Sequence, residues 1–281
     1  MTPEEYCAAR AAPPGSSPYY ALLFHPAQER RALRACFALI EEIRRRTPAS
    51  TDPAPVGRRL LWWLEELGDE RFATSRHPVM VELRRLPIAP AEIRRTVEPA
   101  IHAVKNELSG WQPDSELDWQ SHCRALHATA WQLGAQFCNP HLDDDTLSRI
   151  DVIATAAGQL EHIRELPARI MAGRCPLPRT LMDEQGLNQL QGKALLADPR
   201  LLAAIATSLR GIYPRLSQPA APPGSSGRPP LFAQVLRQIN LALCEQLLRQ
   251  PERIQSGRVG LTPLLKLWIA WRSRGKTQTN S

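Results

Sequence analysis

The sequence has few cysteines, few aromatic side chains and no long apolar run. Its six cysteines are scattered through 281 residues, and none forms a C-x-x-C pair. This spacing argues against a zinc site or a disulfide framework. No apolar run approaches the ~20 residues that a transmembrane helix needs. Glu4 and Glu5 stand near the start, where a secretory signal would carry basic and then apolar residues. We therefore expect a cytoplasmic protein with reduced thiols.

Lysine is also scarce, and the positive charge comes almost wholly from arginine. The formal net charge is +7 from 35 basic and 28 acidic residues. Such a surplus can attract nucleic acid, anionic lipid or diphosphates, or can simply cover solvated helix faces. The basic residues are spread evenly and few aromatics lie between them, so we expect no nucleic-acid partner.

Strand signals are absent as well. There is no sustained apolar/polar alternation and no Asn-Gly or Asp-Gly hairpin turn. Apolar residues instead recur at helical spacing, as from Pro26 to Arg46, and proline and glycine cluster between the periodic stretches. The sequence therefore predicts an all-α fold.

The predicted helices belong to a single domain over residues 16–274, because no repeat or linker separates two cores. Residues 1–15 and 275–281 are expected to be loose termini. The stretch 217–230 is rich in proline, glycine and serine, and we expect an exposed loop there.

Two polar clusters have ordinary structural interpretations. Asp143, Asp144 and Asp145 are consecutive, so their side chains point about 100° apart on a helix and cannot all face one ion. Capping of a helix start is favoured for them. His122 and His127 are five residues apart and do not share a helix face well, which favours ordinary helix histidines over metal ligands. Motifs for a nucleophilic serine or a phosphate-binding loop are missing.

Three tryptophans stand out in a chain with only 6% aromatic residues, namely Trp62, Trp63 and Trp268. Tryptophan fills a core or lines an apolar cavity, and both interpretations remain open here. The segment around Trp268, LLKLWIAW, precedes a basic tail. Association of this segment with a membrane surface is therefore a further hypothesis, although packing against the bundle also suits its apolar face.

Several segments resemble, in order, parts of the squalene/phytoene synthase family. They are SSPYYALLFHPAQERRALRACFAL (residues 16–39), HPVMVELRRL (77–86), GRCPLP (173–178) and LMDEQGL (181–187). The resemblance implies an isoprenoid-synthase-type helical bundle around a central cavity. In that family two D-x-x-x-D pairs on facing helices hold Mg²⁺ against a prenyl diphosphate. That spacing puts both carboxylates of a pair on one helix face.

The matching positions in this chain lack most of those acids. The first pair would fall on Arg44 to Pro48, with Glu41 and Glu42 about one turn too early, and the second falls on Glu165 and Arg169. An arginine cannot ligate a cation, although it can bind a diphosphate directly. We call this set the relic site, and its residues are Glu41, Glu42, Arg44, Arg45, Glu165 and Arg169.

Other segments resemble a non-catalytic branch of the family, which includes the mitochondrial respiratory complex I assembly factor 6. They are FALIEEIRR (residues 37–45), G-x-R-L-x-W-W (57–63), R-x-L-P (164–167) and PLLKLWIAWR (263–272). The resemblance implies a pseudoenzyme without catalytic residues, bound metal or cofactor, acting in binding or in respiratory-complex assembly. Its expected partners are a prenyl or other isoprenoid ligand, a respiratory-complex subunit, or the surface of the inner membrane. The alternative is an active Mg²⁺-dependent enzyme that joins two prenyl diphosphates head-to-head.

Overall fold

A computed structural model describes residues 1–45, 54–221, 228–255, 257 and 259–278, with the backbone alone for 276–278. These residues form α-helices and no β-strand, which confirms the all-α prediction. No helix in the described ranges is both long enough and apolar enough to cross a membrane.

Most of the helices in the described residues are joined by short connections. In chain order they are α1 (Pro3–Ala11), α2 (Ser17–Leu22), α3 (Ala27–Arg44), α4 (Ala54–Glu66), α5 (Asp69–Thr74), α6 (Pro78–Leu83), α7 (Pro90–Leu108), α8 (Glu116–Cys123), α9 (Thr129–Cys138), α10 (Asp144–Arg164), α11 (Leu166–Met171), α12 (Arg179–Glu184), α13 (Gly192–Ala197), α14 (Arg200–Ser217), α15 (Leu231–Arg249) and α16 (Pro263–Gln278). A turn of π-helix (Arg124–Ala128) joins α8 to α9, and a 3₁₀ turn (Pro251–Ile254) follows α15.

Two long helices, α3 and α10, form the centre of the bundle. α3 packs against α1, α6, α7 and α9, and α10 packs against α8, α9, α14 and α15. The middle of α10 is a run of small buried residues from Ala154 to Gly158, which lets its neighbours approach closely. Burial of the apolar faces of these helices is the main stabilising contribution to the fold.

Local capping signals in the sequence agree with the structure. Asp143 is the N-cap of α10, and its Oδ1 accepts a hydrogen bond from Thr146 N at 2.7 Å. Thr262 Oγ1 accepts from Leu265 N at 3.4 Å, and Pro263 is the first residue of α16. Both helices begin at a residue that supplies the acceptor for an otherwise unpaired backbone N–H.

The prediction of loose termini is wrong for most of the residues concerned. Residues 3–11 form α1, which packs on α3, and a capping box links Thr2 and Glu5. The backbone of residues 275–278 continues α16. Residues 279–281 lie outside the described part of the chain. So does the middle of the expected loop, residues 222–227, while Ser217 still belongs to α14.

The chain breaks its helix just before Pro167, between α10 and α11. α10 ends at Arg164, and Glu165 caps it with φ −94° and ψ 1°. Pro167 is the second residue of α11, where a missing backbone N–H costs no helical hydrogen bond. Arg169 N still donates to Glu165 O at 3.0 Å. The break therefore keeps residues 165 and 169 one turn apart.

Candidate functional site

Five of the six relic-site residues meet around one cavity of about 330 Å³. Glu41, Arg44 and Arg45 come from the end of α3, while Glu165 and Arg169 come from the junction of α10 and α11. Four further residues line it, namely Val104 and Glu107 of α7, Leu126 of the π turn and Glu161 of α10. The relic-site residues at the end of α3 and those at the junction of α10 and α11 therefore face each other across a cavity with polar walls.

Glu42, the sixth residue, lies outside this cavity and faces α1. It is almost fully buried, accepts a hydrogen bond from Tyr6 Oη at 2.7 Å, and pairs with Arg10 at 2.7 Å. Its inclusion in a ligand site is wrong. The reason is that α1, which the sequence pattern left unstructured, covers this side of α3 and gives the carboxylate two partners.

Each carboxylate at the cavity has a cationic neighbour. Arg44 lies 3.3 Å from Glu41 and 3.7 Å from Glu161. Arg169 lies 3.1 Å from Glu165 and 3.4 Å from Glu107. The site is thus a network of ion pairs between helices, in which arginines occupy positions that the family resemblance assigns to acids.

Arg44 remains charged although its surroundings remove most of its water. Its side chain is only 17% exposed. Burial opposes the charge, yet the carboxylates of Glu161, Glu41 and Glu165 together raise the pKa of Arg44 above its ordinary value. A guanidinium held in this way is a fixed positive charge in the wall of the cavity.

A second cavity of about 520 Å³ adjoins the first and extends into the bundle. Glu41, Arg44, Leu126 and Glu161 line both cavities. Its lining is mixed. Polar side chains such as Arg10, Arg164, Asn240 and Lys266 form part of it, and an apolar part consists of Phe37, Ile40, Ala130, Trp131, Ala154, Ala157 and Leu236. The polar chamber therefore adjoins a larger chamber with one apolar wall.

The π turn fixes the boundary between the two chambers. It places two consecutive side chains, Leu126 and His127, in the lining of the inner cavity. His127 rests against Gly158 of α10, where a Cβ atom would approach the His127 Cδ2 atom to 2.5 Å. Only glycine leaves room for the ring, so the register of the π turn against α10 depends on this residue.

The three candidate tryptophans lie in different surroundings. Trp63 is 1% exposed and packs edge-to-face on Trp62 and on His77, with ring centroids 4.9 Å apart in each case. Trp62 is half-buried beside this cluster. Trp268 is 49% exposed and lines a small surface pocket between α15 and α16. Its assignment to the core or to a central cavity wall is wrong, since the other face of α16 packs on the bundle.

A buried histidine cluster next to the relic site escaped the sequence pattern. His122 Nε2 lies 3.0 Å from Glu107 Oε1, and Trp119 Nε1–H donates to His162 Nδ1 at 3.1 Å. The ring of His162 lies 5.8 Å from that of His122 and 5.7 Å from that of His127. Four elements bring these residues together, namely α7, α8, the π turn and α10, so no spacing along the sequence indicates the cluster.

Burial keeps two members of this cluster neutral. Desolvation, followed by the charges of nearby arginines, lowers the pKa of His127 and of His162 well below 6.5. The Nε2 atoms of both rings are buried and have no hydrogen-bond partner in the described residues. Protonation of either ring would place a second charge beside Arg44 or Arg169.

Mg²⁺, the metal that the family resemblance implies, does not fit the residues present. It takes oxygen ligands in a strict octahedral arrangement. Within the described ranges, one group near the relic site brings three possible ligand atoms within 4.8 Å, and two of its members are histidines (Glu107, His122 and His162). The Glu107 carboxylate already pairs with Arg169 and His122. The relic-site carboxylates are likewise paired with arginines, so a divalent cation would meet fixed positive charges.

An all-α bundle with cavities between its central helices is typical of the isoprenoid-synthase class of fold. Solved structures of that class resemble the chain over nearly its whole length. A dehydrosqualene synthase in complex with ligand has a TM-score of 0.74 at 13% identity, over 99% of this chain and 97% of its own. A squalene synthase, HpnC from Alicyclobacillus acidocaldarius, has a TM-score of 0.59 at 17% identity, over 92% and 95%. At these identities the likeness shows the fold alone.

The family itself follows from the sequence match. The squalene/phytoene synthase family model matches residues 12–261. The chain belongs to the squalene/phytoene synthase family. No significant match was found among curated proteins.

Proposed function

We propose that this protein is a non-catalytic member of the family that binds an isoprenoid-type ligand without metal. The observation that carries the proposal is the position of Arg44 and Arg169, which pair with the carboxylates of the cavity. Head-to-head condensation in the family uses a metal to neutralise the departing diphosphate. In this chain arginines stand at two of the positions that the resemblance assigns to metal-binding acids, Arg44 and Arg169, while Glu165 remains an acid.

The two adjoining chambers suit an amphipathic anion. Arg44, Arg45 and Arg169 offer guanidinium groups that can bind phosphate oxygens directly and in bidentate fashion. Behind them, Phe37 and Trp131 belong to an apolar wall that can take a hydrocarbon chain. A prenyl phosphate or diphosphate has both a charged head and a hydrocarbon chain. On binding, its phosphate oxygens would replace the cavity carboxylates as partners of the arginines.

The first experiment separates binding from catalysis. Titration calorimetry with farnesyl diphosphate in EDTA is expected to show binding, and Arg44→Gln is expected to weaken it by about tenfold. The matched control is Arg95→Gln on the exposed face of α7, which should leave the affinity unchanged. A parallel assay with radiolabelled farnesyl or geranylgeranyl diphosphate and Mg²⁺ or Mn²⁺ is expected to give no product. Robust product would overturn the proposal and favour the prenyltransferase alternative.

We further propose a role in assembly of a respiratory complex. The support is the resemblance of residues 37–45, 57–63, 164–167 and 263–272 to the branch that includes complex I assembly factor 6. Loss of the protein in its source organism should then lower the amount of assembled complex I. Restoration by the wild-type chain but not by Arg44→Gln would tie that role to the cavity. Unchanged complex I in the deletion strain would refute it.

A further inference from the structure

Helix α16 directs an apolar face outward instead of toward the bundle. Leu264, Trp268 and Trp271 are 79%, 49% and 62% exposed. At 100° per residue, these three side chains lie on one side of the helix. The opposite side, with Ile269 and Ala270, is buried against the bundle. Leu265 and Leu267 are also exposed and widen the stripe.

Arginines border this apolar stripe on both sides. Arg272 and Arg274 point about 160° apart around the helix, with Trp268 and Trp271 between them. The Arg272 guanidinium lies over the Trp268 ring at 5.1 Å. The sequence from residue 253 to residue 281 carries six basic residues and no acidic one. The outward face therefore combines exposed tryptophan and leucine with positive charge alone.

A small basic pocket lies beside the stripe, between α15 and α16. Its volume is about 250 Å³, and Arg237 and Arg272 line it together with Gln234, Gln238 and Ser273. Arg237 donates to Leu216 O at 3.2 Å, and burial lowers the pKa of its guanidinium. In the described residues no carboxylate pairs with Arg237 or Arg272. Two guanidinium groups in one pocket without an acid form a receptor for an anion.

We propose that α16 binds an anionic membrane surface, with its apolar stripe in the lipid interface and a lipid phosphate in the pocket of Arg237 and Arg272. A helix with tryptophan and leucine on its free face and arginines along its edges has the pattern of interfacial membrane helices. The positive charge of α16 favours lipid phosphate as its partner. A protein partner would also present basic residues, and α16 has no acidic residue to pair with them. The helix lies in the membrane plane and does not cross it.

Co-sedimentation with vesicles tests this surface directly. The wild-type protein is expected to bind vesicles of equal parts phosphatidylcholine and phosphatidylglycerol, and to bind phosphatidylcholine alone much more weakly. Leu264→Ser with Trp271→Ser, and separately Arg237→Gln with Arg272→Gln, are each expected to lower the partition coefficient by about tenfold or more. High salt should weaken binding, because the phosphate contacts are screened.

Matched variants on other faces control for general loss of apolar surface or charge. Leu61→Ser with Leu117→Ser removes two side chains that are 58% and 70% exposed on α4 and α8. Arg76→Gln with Arg95→Gln removes the same charge elsewhere, and both control pairs should bind vesicles like the wild type. Equal binding by all variants, no preference for anionic vesicles, or binding of inorganic phosphate without vesicle binding would overturn the proposal. Circular dichroism verifies that each variant is folded. The result for vesicle binding is separate from the result for farnesyl diphosphate binding, because failure to bind farnesyl diphosphate would count only against the proposed function.

Discussion

Replacement of Arg169 by methionine tests whether the relic site is held together by ion pairs. The arginine side chain is 13% exposed, and it lies between Glu107, which is 9% exposed, and Glu165, which is 30% exposed. Removal of one partner of a buried ion pair costs about 3–5 kcal/mol, because the remaining charge is buried without compensation. Since Glu165 is partly solvated, we expect a loss of about 2–4 kcal/mol in the free energy of unfolding.

Urea unfolding followed by circular dichroism at neutral pH measures this loss. The matched control is Arg95→Met on α7, whose side chain is 81% exposed and lies 4.0 Å from Glu92. That change should cost about 0.5 kcal/mol or less. If Arg169→Met costs no more than Arg95→Met, the pairs contribute nothing to stability and our account of the site is wrong.

A second variant measures how much of the stability loss comes from the pair between Arg169 and Glu107. Glu107→Gln removes the buried charge that Arg169→Met leaves behind, so the double variant should be more stable than the sum of the two single losses predicts. We expect a coupling energy of about 1 kcal/mol or more, as is usual for residues in one network. A coupling near zero would show that Glu107 does not depend on Arg169.

Three further predictions concern the bundle around the site. Burial lowers the pKa of His127 and His162 well below 6.5, so in acid the unfolded chain binds more protons than the folded chain. As the pH falls from about 7.5 to about 5.5, each ring should therefore lower the free energy of unfolding by about 1.4 kcal/mol. Urea titrations at several pH values measure this loss, and a free energy of unfolding that does not change with pH would contradict it. Gly158→Ala should destabilise by about 1–3 kcal/mol through contact with His127, whereas Gly211→Ala, in open space on α14, should stabilise by about 0.5–1 kcal/mol in the same assay. Asp143→Ala should cost about 1 kcal/mol of thermal or urea stability, and an unchanged midpoint would show that the cap of α10 is dispensable.

Local features of the chain could be predicted from the sequence because their causes lie within a few residues. The periodic stretch from Pro26 predicts α3, which runs from Ala27 to Arg44. Asp143 correctly indicates the start of α10, and α16 begins at Pro263, a residue type that is common at the first helical position. α1 was missed although the sequence carries its signal, since Thr2 and Glu5 have the spacing of a capping box.

Features that depend on packing between distant segments could not be predicted in this way. The side of α3 that Glu42 faces depends on α1, and the exposure of Trp268 depends on which side of α16 meets the bundle. The meeting of Glu107, His122 and His162 requires three elements to pack at one point. The family resemblance did place Arg44 and Arg169 on facing helices, because the fold fixes the geometry of those positions.

The pairing of Arg169 with two carboxylates also restricts which residues can occupy this position. A single mutation to aspartate would leave three acidic groups facing one another, next to the remaining arginines. Such a protein would lose stability, because the charges of Glu107 and Glu165 would lose their partner. An acid at position 169 therefore requires compensating substitutions at neighbouring positions, and selection on folding acts on the whole network together.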